Sequence, residues 1–205
     1  MIIVELKQKG KSENYVVRFD NNFSYILSLE TIVKNKLNTG SEVEEDAYAD
    51  IIINDQKITG FEKAITLLTK TFKTEKQVRQ YLKEKLYHKD AIENIIQKLK
   101  EYKYLNDEEY AKSFISTYKE SKGKLWIKQQ LFSKGINKHI ISKHINEMDT
   151  QQESIEKLVD KFLKGKEKDQ KTKEKLLRNL LSKGFTYEEV KSIVNNKFKT
   201  QDDWE

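Results

Sequence analysis

Three stretches of the sequence share one pattern: VRQYLKEKLYHKDAIENII (78–96), IKQQLFSKGINKHIISKHI (127–145) and LLRNLLSKGFTYEEVKSIV (176–194). Each begins forty-nine residues after the previous one, and the three align without a gap. Apolar residues coincide in all three at five columns, and Ser-Lys-Gly recurs in the second and third. A fixed period of this length is typical of tandem repeats in which each unit is one supersecondary element. In the first stretch the five columns are Val78, Leu82, Tyr87, Ile92 and Ile96.

Each repeat is predicted to contain three helices. Apolar residues recur at three- and four-residue steps between residues that favour helix starts, as in amphipathic helices that pack on one core. Thr74, Gly123 and Thr172 align at the predicted start of the second helix, and all three are accepted N-cap residues. Two further helix starts have the spacing of a capping box: Asn106 with Glu109, and Thr186 with Glu189.

The repeated Ser-Lys-Gly marks the end of the second helix. A lysine in the last turn of a helix is favoured by the negative end of the helix dipole, and a glycine beyond it can take the left-handed conformation that closes the helix. Lys134 and Lys183 are therefore interpreted first as cap residues. Ile136 and Phe185 are expected to enter the core where the next helix starts.

The N-terminal part of the chain reads as strands. Residues 2–9, 14–20 and 23–29 are rich in β-branched and aromatic residues. They are separated by stretches that contain glycine, serine, asparagine and aspartate, which favour turns. We therefore predict a small antiparallel meander.

Two helices are predicted to follow these strands. The first lies within residues 29–40 and is ended by Gly40. Ser41 and Glu44 then have capping-box spacing, so a second helix is expected through residues 46–55. Both belong to the N-terminal module, because the forty-nine-residue pattern begins after them.

The predicted fold is mainly α: three tandem three-helix repeats that form an elongated, curved body, preceded by a small β-rich module. One three-helix unit buries little apolar surface alone, so neighbouring repeats are expected to cover each other's apolar faces. The predicted boundaries are 1–59 for the N-terminal module, 60–106 for the first repeat, 107–149 for the second, and 150–205 for the third with a C-terminal tail.

Composition narrows the class of protein. The chain has 205 residues, is 37% hydrophobic and 35% charged, and contains no cysteine, which rules out disulfides, a thiol nucleophile and cysteine-ligated zinc. No apolar run approaches the ~20 residues of a membrane span. The N-terminus also lacks the layout of a signal peptide. We expect a cytoplasmic protein without a membrane partner.

Charge is unevenly distributed along the chain. Residues 1–60 contain 7 Lys and Arg against 10 Asp and Glu, whereas residues 61–205 contain 32 against 23. This asymmetry has two interpretations. Either the second part binds a polyanion or an acidic protein surface, or it has a solvated, lysine-rich surface of no special function.

The sequence contains no P-loop, dinucleotide-binding, zinc-protease or nucleophile-elbow motif. We therefore predict no enzyme activity, no cofactor and no bound metal. His88 aligns with residues at helix starts and is interpreted as a cap or an exposed residue. His139 aligns with charged residues and should face solvent, and His144 takes an apolar position and should be a hydrogen-bonded core residue.

Basic residues surround the second helix of each repeat. A row of cations repeated at the structural period would form a stripe suited to phosphates or to an acidic filament. The alternative is a solvated helix face. The row comprises Lys73, Lys76, Arg79 and Lys83 in the first repeat, Lys122, Lys124, Lys128, Lys134 and Lys138 in the second, and Lys171, Lys173, Lys175 and Arg178 in the third.

Trp126 aligns with Gln77 and Lys175, so the repeat does not require an apolar residue at this position. A tryptophan between Lys124 and Lys128 could stack on a nucleic-acid base or anchor a protein interface. The alternative is that it packs at the edge of an adjacent helix.

Several stretches resemble the RecX family, bacterial regulators of the RecA recombinase. They are KTEKQVRQYL (73–82), EYKYLNDEEYA (101–111), and Ser-Lys-Gly followed by an apolar residue at 133–136 and 182–185. The resemblance covers residues 60–200. In the family the second stretch usually reads GYLDDEx[FY]A, so Lys103 replaces the glycine and Asn106 the first aspartate. Leu86 likewise stands where the Lys-Gly pattern expects glycine.

The resemblance implies a repeat protein that binds in the groove of the RecA–DNA filament and limits recombinase ATPase activity and strand exchange, by blocking filament growth or favouring disassembly. It implies no catalytic residues. We expect a monomer whose partner is the RecA filament. Direct binding to single- or double-stranded DNA is the alternative function. The candidate binding residues are Arg79, Lys83, Lys124, Trp126, Lys128, Lys134, Lys138, Lys175, Arg178 and Lys183, with Lys124, Lys128 and Arg178 ranked above Lys134 and Lys183.

Overall fold

The structure, a computed structural model, describes residues 1–11 and 13–198, and the predicted C-terminal tail from residue 199 lies outside them. The chain divides into two compact units, one from Met1 to Asn106 and the other beginning at Asp107. Described elements of the first unit are β1 (Ile3–Gln8), β2 (Asn14–Phe19), β3 (Ser24–Ser28), α1 (Leu29–Lys34), α2 (Glu45–Lys70), α3 (Glu75–Glu84) and α4 (Lys89–Glu101). Those of the second unit are α5 (Asp107–Tyr118), α6 (Lys124–Ser133), α7 (Lys138–Asn146), α8 (Gln152–Leu163), α9 (Gln170–Ser182) and α10 (Tyr187–Phe198).

The three strands form an antiparallel sheet in the order β1-β2-β3, which confirms the predicted meander. In the middle strand Tyr15 pairs with Gln8 on one side and with Leu27 on the other. The buried face of the sheet packs against α1 and α2, so the module has a small core of its own. Its buried residues are Ile3, Val17, Phe19, Leu27, Ile32, Leu37, Val43 and Ile52.

The short helix after the sheet ends earlier than predicted. Asn35 is the C-cap of α1 and Lys36 has φ 52°, so the chain leaves the helix six residues after it begins. Gly40, with φ 88°, does not end the helix but directs the chain back to β1. Its backbone N–H donates to the carbonyl oxygen of Ile3 at 2.8 Å.

The start of α2 also differs from the prediction. Glu44 is the N-cap residue and no side chain caps this helix, so the predicted capping box of Ser41 and Glu44 is wrong. Ser41 Oγ instead accepts a hydrogen bond from the backbone N–H of Asn38 at 2.9 Å. The serine therefore closes a turn before the helix and does not begin it.

The helix α2 is continuous over 26 residues and passes through positions 59 and 60. It therefore belongs both to the N-terminal module and to the first three-helix repeat. Gly60 lies where α2 meets α4, since a side-chain carbon at this position would lie 2.5 Å from Cδ1 of Ile95 on α4. The absence of a side chain lets the two helices approach closely, which offsets the low helix propensity of glycine.

The repeat pattern predicted the cores of all three repeats. Every residue in the five aligned apolar columns is buried, with an exposed fraction of at most 9%. The columns supply most of three separate clusters, and each cluster belongs to one repeat. The first repeat comprises the C-terminal half of α2 with α3 and α4, the second comprises α5 to α7, and the third comprises α8 to α10.

Most of the predicted helix starts are observed. Thr74 forms a capping box with Gln77 at the start of α3, and Gly123 is the N-cap of α6. Thr186 and Glu189 also exchange the two hydrogen bonds of a capping box. The prediction for Thr172 is wrong. Asp169 caps α9 three residues earlier, with its carboxylate accepting from Thr172 N at 2.7 Å.

Left-handed residues close the second helix of each repeat. Gly135 and Gly184 have φ of 88° and 87°, which confirms the predicted role of Ser-Lys-Gly. Leu86 adopts the same conformation after α3, with φ 63°, and Lys103 adopts it after α4, the third helix of the first repeat, with φ 60°, although neither is glycine. The two departures from the family pattern therefore keep the turn geometry and carry the strain of a Cβ atom in it.

Candidate binding surface

Trp126 is part of an aromatic cluster within the second repeat. Its ring stacks on Phe114 with the centroids 6.1 Å apart and lies 5.2 Å from the ring of Tyr118. Lys122 Nζ lies 4.7 Å from the centroid of the Trp126 ring, within the range of a cation–π interaction. The indole is half-buried in this cluster. Of the predicted roles, packing against an adjacent helix is the one this arrangement favours.

Two of the candidate lysines also make intramolecular contacts. Lys124 Nζ donates to the carbonyl oxygen of Met148 at 2.8 Å and so ties the start of α6 to the end of α7. Lys134 is the C-cap of α6, and its ammonium lies 5.7 Å from the centroid of the Phe114 ring. Both side chains are half-buried.

Lys183 is also a cap residue, at the end of α9. Its carbonyl oxygen accepts a hydrogen bond from Gly123 N at 2.9 Å, and the carbonyl oxygen of Gly184 accepts one from Leu125 N at 3.2 Å. The turn of the third repeat therefore receives backbone N–H groups from the beginning of α6, which have no acceptor within their own helix. These contacts give the turn a structural role between the second and third repeats.

Arg79 belongs to a network of ion pairs between α3 and α4. Its guanidinium contacts Glu93 with both terminal nitrogens, at 2.7 and 2.9 Å, and Nε contacts Glu75 at 2.7 Å. Lys100 also pairs with Glu75, at 2.5 Å. Hydrogen bonding to Glu93 raises the pKa of Arg79, and the same contact holds the pKa of Glu93 below its usual value. The arginine is engaged within the fold.

The other five candidate cations are exposed and form no ion pair with a described residue. One lies in the first unit and four in the second, on α6, α7 and α9. Two of them make weaker contacts. Lys138 Nζ lies 5.7 Å from the Phe132 ring centroid, and Arg178 Nε lies 3.4 Å from the carbonyl oxygen of Glu174. The five residues are Lys83, Lys128, Lys138, Lys175 and Arg178.

The histidines have the predicted roles. His88 is the N-cap of α4, with Nδ1 accepting from Asp90 N, and His139 is exposed. His144 is buried, with Nδ1 2.8 Å from Glu147 and Nε2 3.0 Å from Glu108. Lys143 and, after it, His144 hold the pKa of the Glu108 carboxyl below its usual value. His144 thus links α5 and α7 as a hydrogen-bonded core residue.

Within residues 1–11 and 13–198, no group of three or more His, Asp or Glu side chains is arranged to hold a metal ion. No helix in the same part of the chain is long and apolar enough to cross a membrane.

Sequence reasoning did not select two apolar residues on the outer face of α6. Leu125 and Phe132 are both 56% exposed, although each is large and apolar. The forty-nine-residue alignment contained the relevant pattern, because Lys76 and Lys83 occupy the corresponding positions of the first repeat. The alignment therefore contained an indication of this apolar surface: an outward position is apolar in the second repeat and charged in the first.

Comparison with known proteins identifies the family of these repeats. Sequence profiles of the RecX first, second and third three-helix domains match residues 61–99, 106–144 and 149–194. The chain belongs to the RecX family. The three RecX domains coincide with the three repeats, and each profile spans all or part of the three helices of its repeat.

Relatives in the RecX family extend over nearly the whole chain. "Regulatory protein RecX" of Clostridium perfringens (strain 13 / Type A) is 36% identical over 201 residues, which are 93% of this chain and 95% of that protein. The protein of the same name from Clostridium acetobutylicum is 33% identical and covers 93% of each chain. That from Bacillus pumilus is 32% identical over 96% of this chain and 77% of its own length. All three are named as regulatory proteins.

Solved RecX structures share the fold. A crystal structure of regulatory protein RecX matches with a TM-score of 0.65 at 23% identity, covering 95% of this chain and 98% of that one. RecX from Lactobacillus salivarius matches with a TM-score of 0.64 at 29% identity, over 70% of this chain and 97% of its own.

Proposed function

We propose that this chain binds the RecA–DNA filament as a monomer and inhibits recombinase ATPase activity, filament growth and strand exchange. Support comes from the RecX family membership, from relatives named as regulatory proteins over most of the chain, and from a surface with exposed cations. The proposed activity is regulatory and needs no catalytic group on this chain.

The observation that carries the proposal is the exposure of Lys128, Lys175 and Arg178 together with their ion-pairing state. All three are exposed, lie on the second helices of their repeats, and have no ion pair with a described residue. A cation that is not neutralised within its own protein can displace counterions from a phosphate backbone, which gives salt-sensitive attraction to a nucleoprotein. The three side chains are therefore the proposed contacts to the DNA-bearing filament.

The other candidate cations divide into two groups under this proposal. Arg79, Lys124 and Lys134 use their side chains within the fold, so loss of these side chains would act through the fold, whereas Lys183 contributes to its turn through the backbone. Lys83 in the first unit and Lys138 in the second are exposed and are further candidate contacts, each within its own unit. Trp126 supports the surface by fixing α6 on Phe114 and Tyr118.

The test is the ATPase activity of RecA on single-stranded DNA. We expect the folded protein to lower this activity at substoichiometric amounts, because a protein that blocks filament growth acts on many subunits through one contact. A helical circular-dichroism spectrum controls for folding. An unchanged ATPase rate at an equimolar ratio would refute the proposal.

A second candidate function is direct binding to naked DNA. The same exposed cations favour this function, because cations bind the phosphates of DNA whether or not a recombinase is present. A salt series with single- and double-stranded DNA separates the two functions. Tight, steeply salt-dependent binding to naked DNA, with no gain when RecA is present, would support the second function over the first.

A further inference from the structure

The helix α6 has apolar residues on both of its faces. Ile127 and Leu131 are completely buried in the core of the second repeat. Leu125 and Phe132 are each 56% exposed. They are seven positions apart, which is two helical turns, so they lie on one line along the outer face, about 10 Å apart. One helix thus serves the core and presents a second apolar strip to solvent.

The fold of the repeat does not require this strip. The helix α3 occupies the same place in the first repeat, and it has Lys76 and Lys83 at the two positions. In the third repeat Glu174 corresponds to Leu125, whereas Leu181 corresponds to Phe132 and is itself 42% exposed. Charged residues are therefore compatible with the outer face of this helix, and among α3, α6 and α9 it is α6 that has apolar residues at both positions. Large exposed apolar side chains of this kind are typical of interaction surfaces.

Cations border the strip. Lys128 lies between the two apolar residues on the same face of α6 and is exposed. Lys138, at the start of α7, places Nζ 5.7 Å from the centroid of the Phe132 ring. An apolar centre with a cationic border is complementary to a protein segment that carries apolar side chains beside carboxylates.

Nucleic acid fits this strip less well than protein does. A base would stack on Phe132, as bases do on aromatic residues of single-strand-binding proteins. Leu125, at the other end of the strip, offers no ring for a second base. Two aliphatic or aromatic anchors two turns apart instead match the spacing of apolar side chains along a partner helix.

We propose that Leu125, Lys128, Phe132 and Lys138 form a docking strip for an acidic, apolar segment of a protein. The inference rests on the proposed function and makes it more specific: of the three proposed filament contacts, Lys128 faces carboxylates of the recombinase subunit within the docking strip, whereas Lys175 and Arg178 on α9 contact DNA phosphates. Two binding modes then contribute to one complex, and they differ in their dependence on salt. Apolar docking persists at salt concentrations that screen phosphate contacts.

The test uses the double variant Leu125→Gln/Phe132→Gln, which removes the apolar anchors without changing charge. The matched control is Ile58→Gln, since Ile58 is 65% exposed on α2 in the first unit. Binding is measured to RecA assembled on single-stranded DNA and, separately, to the same DNA alone. We expect the double variant to bind the filament at least about 10-fold more weakly, with unchanged binding to DNA alone, and the control to match the wild type.

The outcomes separate the docking strip from the proposed function. Wild-type protein that fails to bind the filament refutes both. If the wild type binds the filament and the double variant binds it equally well, only the docking strip is refuted. The docking strip is also refuted if the double variant loses binding to naked DNA to the same extent as binding to the filament, because the strip would then contact bases. A wild-type dimer that becomes a monomer in the variant would assign the strip to a second copy of the chain and also overturn the proposal.

Should the double variant lose its helical spectrum, Phe132→Lys replaces it. This substitution installs the residue that Lys83 provides at the same position of α3, so it preserves the outer face of a repeat helix. Unchanged filament binding by Phe132→Lys would contradict the docking strip.

Discussion

Gly123 donates its backbone N–H to the carbonyl oxygen of Lys183 at 2.9 Å, across sixty residues of sequence. The contact joins the N-terminus of α6 to the turn that closes α9. A Cβ atom on Gly123 would overlap the backbone of Gly184, and one on Gly184 would overlap Trp126. The glycines of the second and third repeats therefore permit a backbone contact between neighbouring repeats, besides closing a helix.

The first prediction concerns this contact. Gly184→Ala should lower the free energy of unfolding by about 2–4 kcal/mol, because the new methyl group meets Trp126 and the residue keeps a positive φ. Gly165→Ala is the control, since Gly165 has φ 72° but open space around it. It should cost about 1 kcal/mol. Urea unfolding measures both, and equal losses would show that the contact with Trp126 adds nothing.

The second prediction concerns the two left-handed residues that are not glycine. Leu86→Gly and Lys103→Gly should each raise the free energy of unfolding by about 0.5–1 kcal/mol, because relief of the strained φ exceeds the entropy that glycine adds to the unfolded chain. Leu86 is 64% exposed, so little buried surface is lost. In contrast, Gln80→Gly within α3 should be destabilising by about 1 kcal/mol. Thermal or urea unfolding checks the sign, and destabilisation by both variants would refute the interpretation.

The third prediction concerns pH. Burial raises the pKa of Glu75, but the hydrogen bonds of Lys100 and Arg79 outweigh burial and hold it below the usual 4.5. A depressed folded-state pKa means that the carboxylate stabilises the fold above about pH 4.5 and that this contribution is lost as pH falls through the folded-state value. Glu75→Gln should therefore be less stable than the wild type at neutral pH, and the difference should vanish in acid.

Urea unfolding between about pH 7 and pH 3 follows this convergence. Glu167→Gln is the control, because Glu167 is exposed, and its curve should follow that of the wild type throughout. Salt should also narrow the gap between Glu75→Gln and the wild type at neutral pH, since the ion pairs are partly exposed. A difference that persists undiminished at the acid end would mean that Glu75 acts by packing and not by charge.

The fourth prediction concerns the exposed cations. The triple variant Lys128→Glu/Lys175→Glu/Arg178→Glu should bind the RecA–DNA filament about 10-fold more weakly or worse and should show a shallower salt dependence. Lys161→Glu/Lys164→Glu/Lys168→Glu makes the same change in net charge on exposed residues of α8 and the loop after it. Binding and ATPase inhibition are measured for both. Equal losses would indicate an effect of net charge alone.

Local patterns predicted the helices and cores well. The apolar columns and the capping boxes at Thr74 and Thr186 depend on residues close in sequence, and the structure confirms them. Errors arose where a distant contact or a competing residue decides the outcome. Asp169 caps α9 in place of Thr172, and Ser41 accepts from Asn38 N in a turn instead of capping α2.

The same distinction applies to the candidate binding residues. A sequence shows that a residue is a cation, but not whether a carboxylate or a carbonyl already contacts it. Arg79 and Lys124 were indistinguishable from Lys128 in the alignment, yet Glu93 and Met148 engage the first two within the fold. The assignment of Lys128, Lys175 and Arg178 to a partner remains a prediction for binding experiments.

The continuity of α2 limits how this protein can be divided or recombined. Asp55 accepts a hydrogen bond from Ser28 N at the edge of the sheet, while its neighbour Gln56 accepts one from His88 N at the start of α4. Two adjacent residues thus anchor the sheet and the first repeat to the same turn of one helix. A junction anywhere between Gln56 and His88, including one between residues 59 and 60, would place the two ends of this anchor in different parents, so exchange of the N-terminal module between relatives requires transfer of the whole first unit, as far as Asn106.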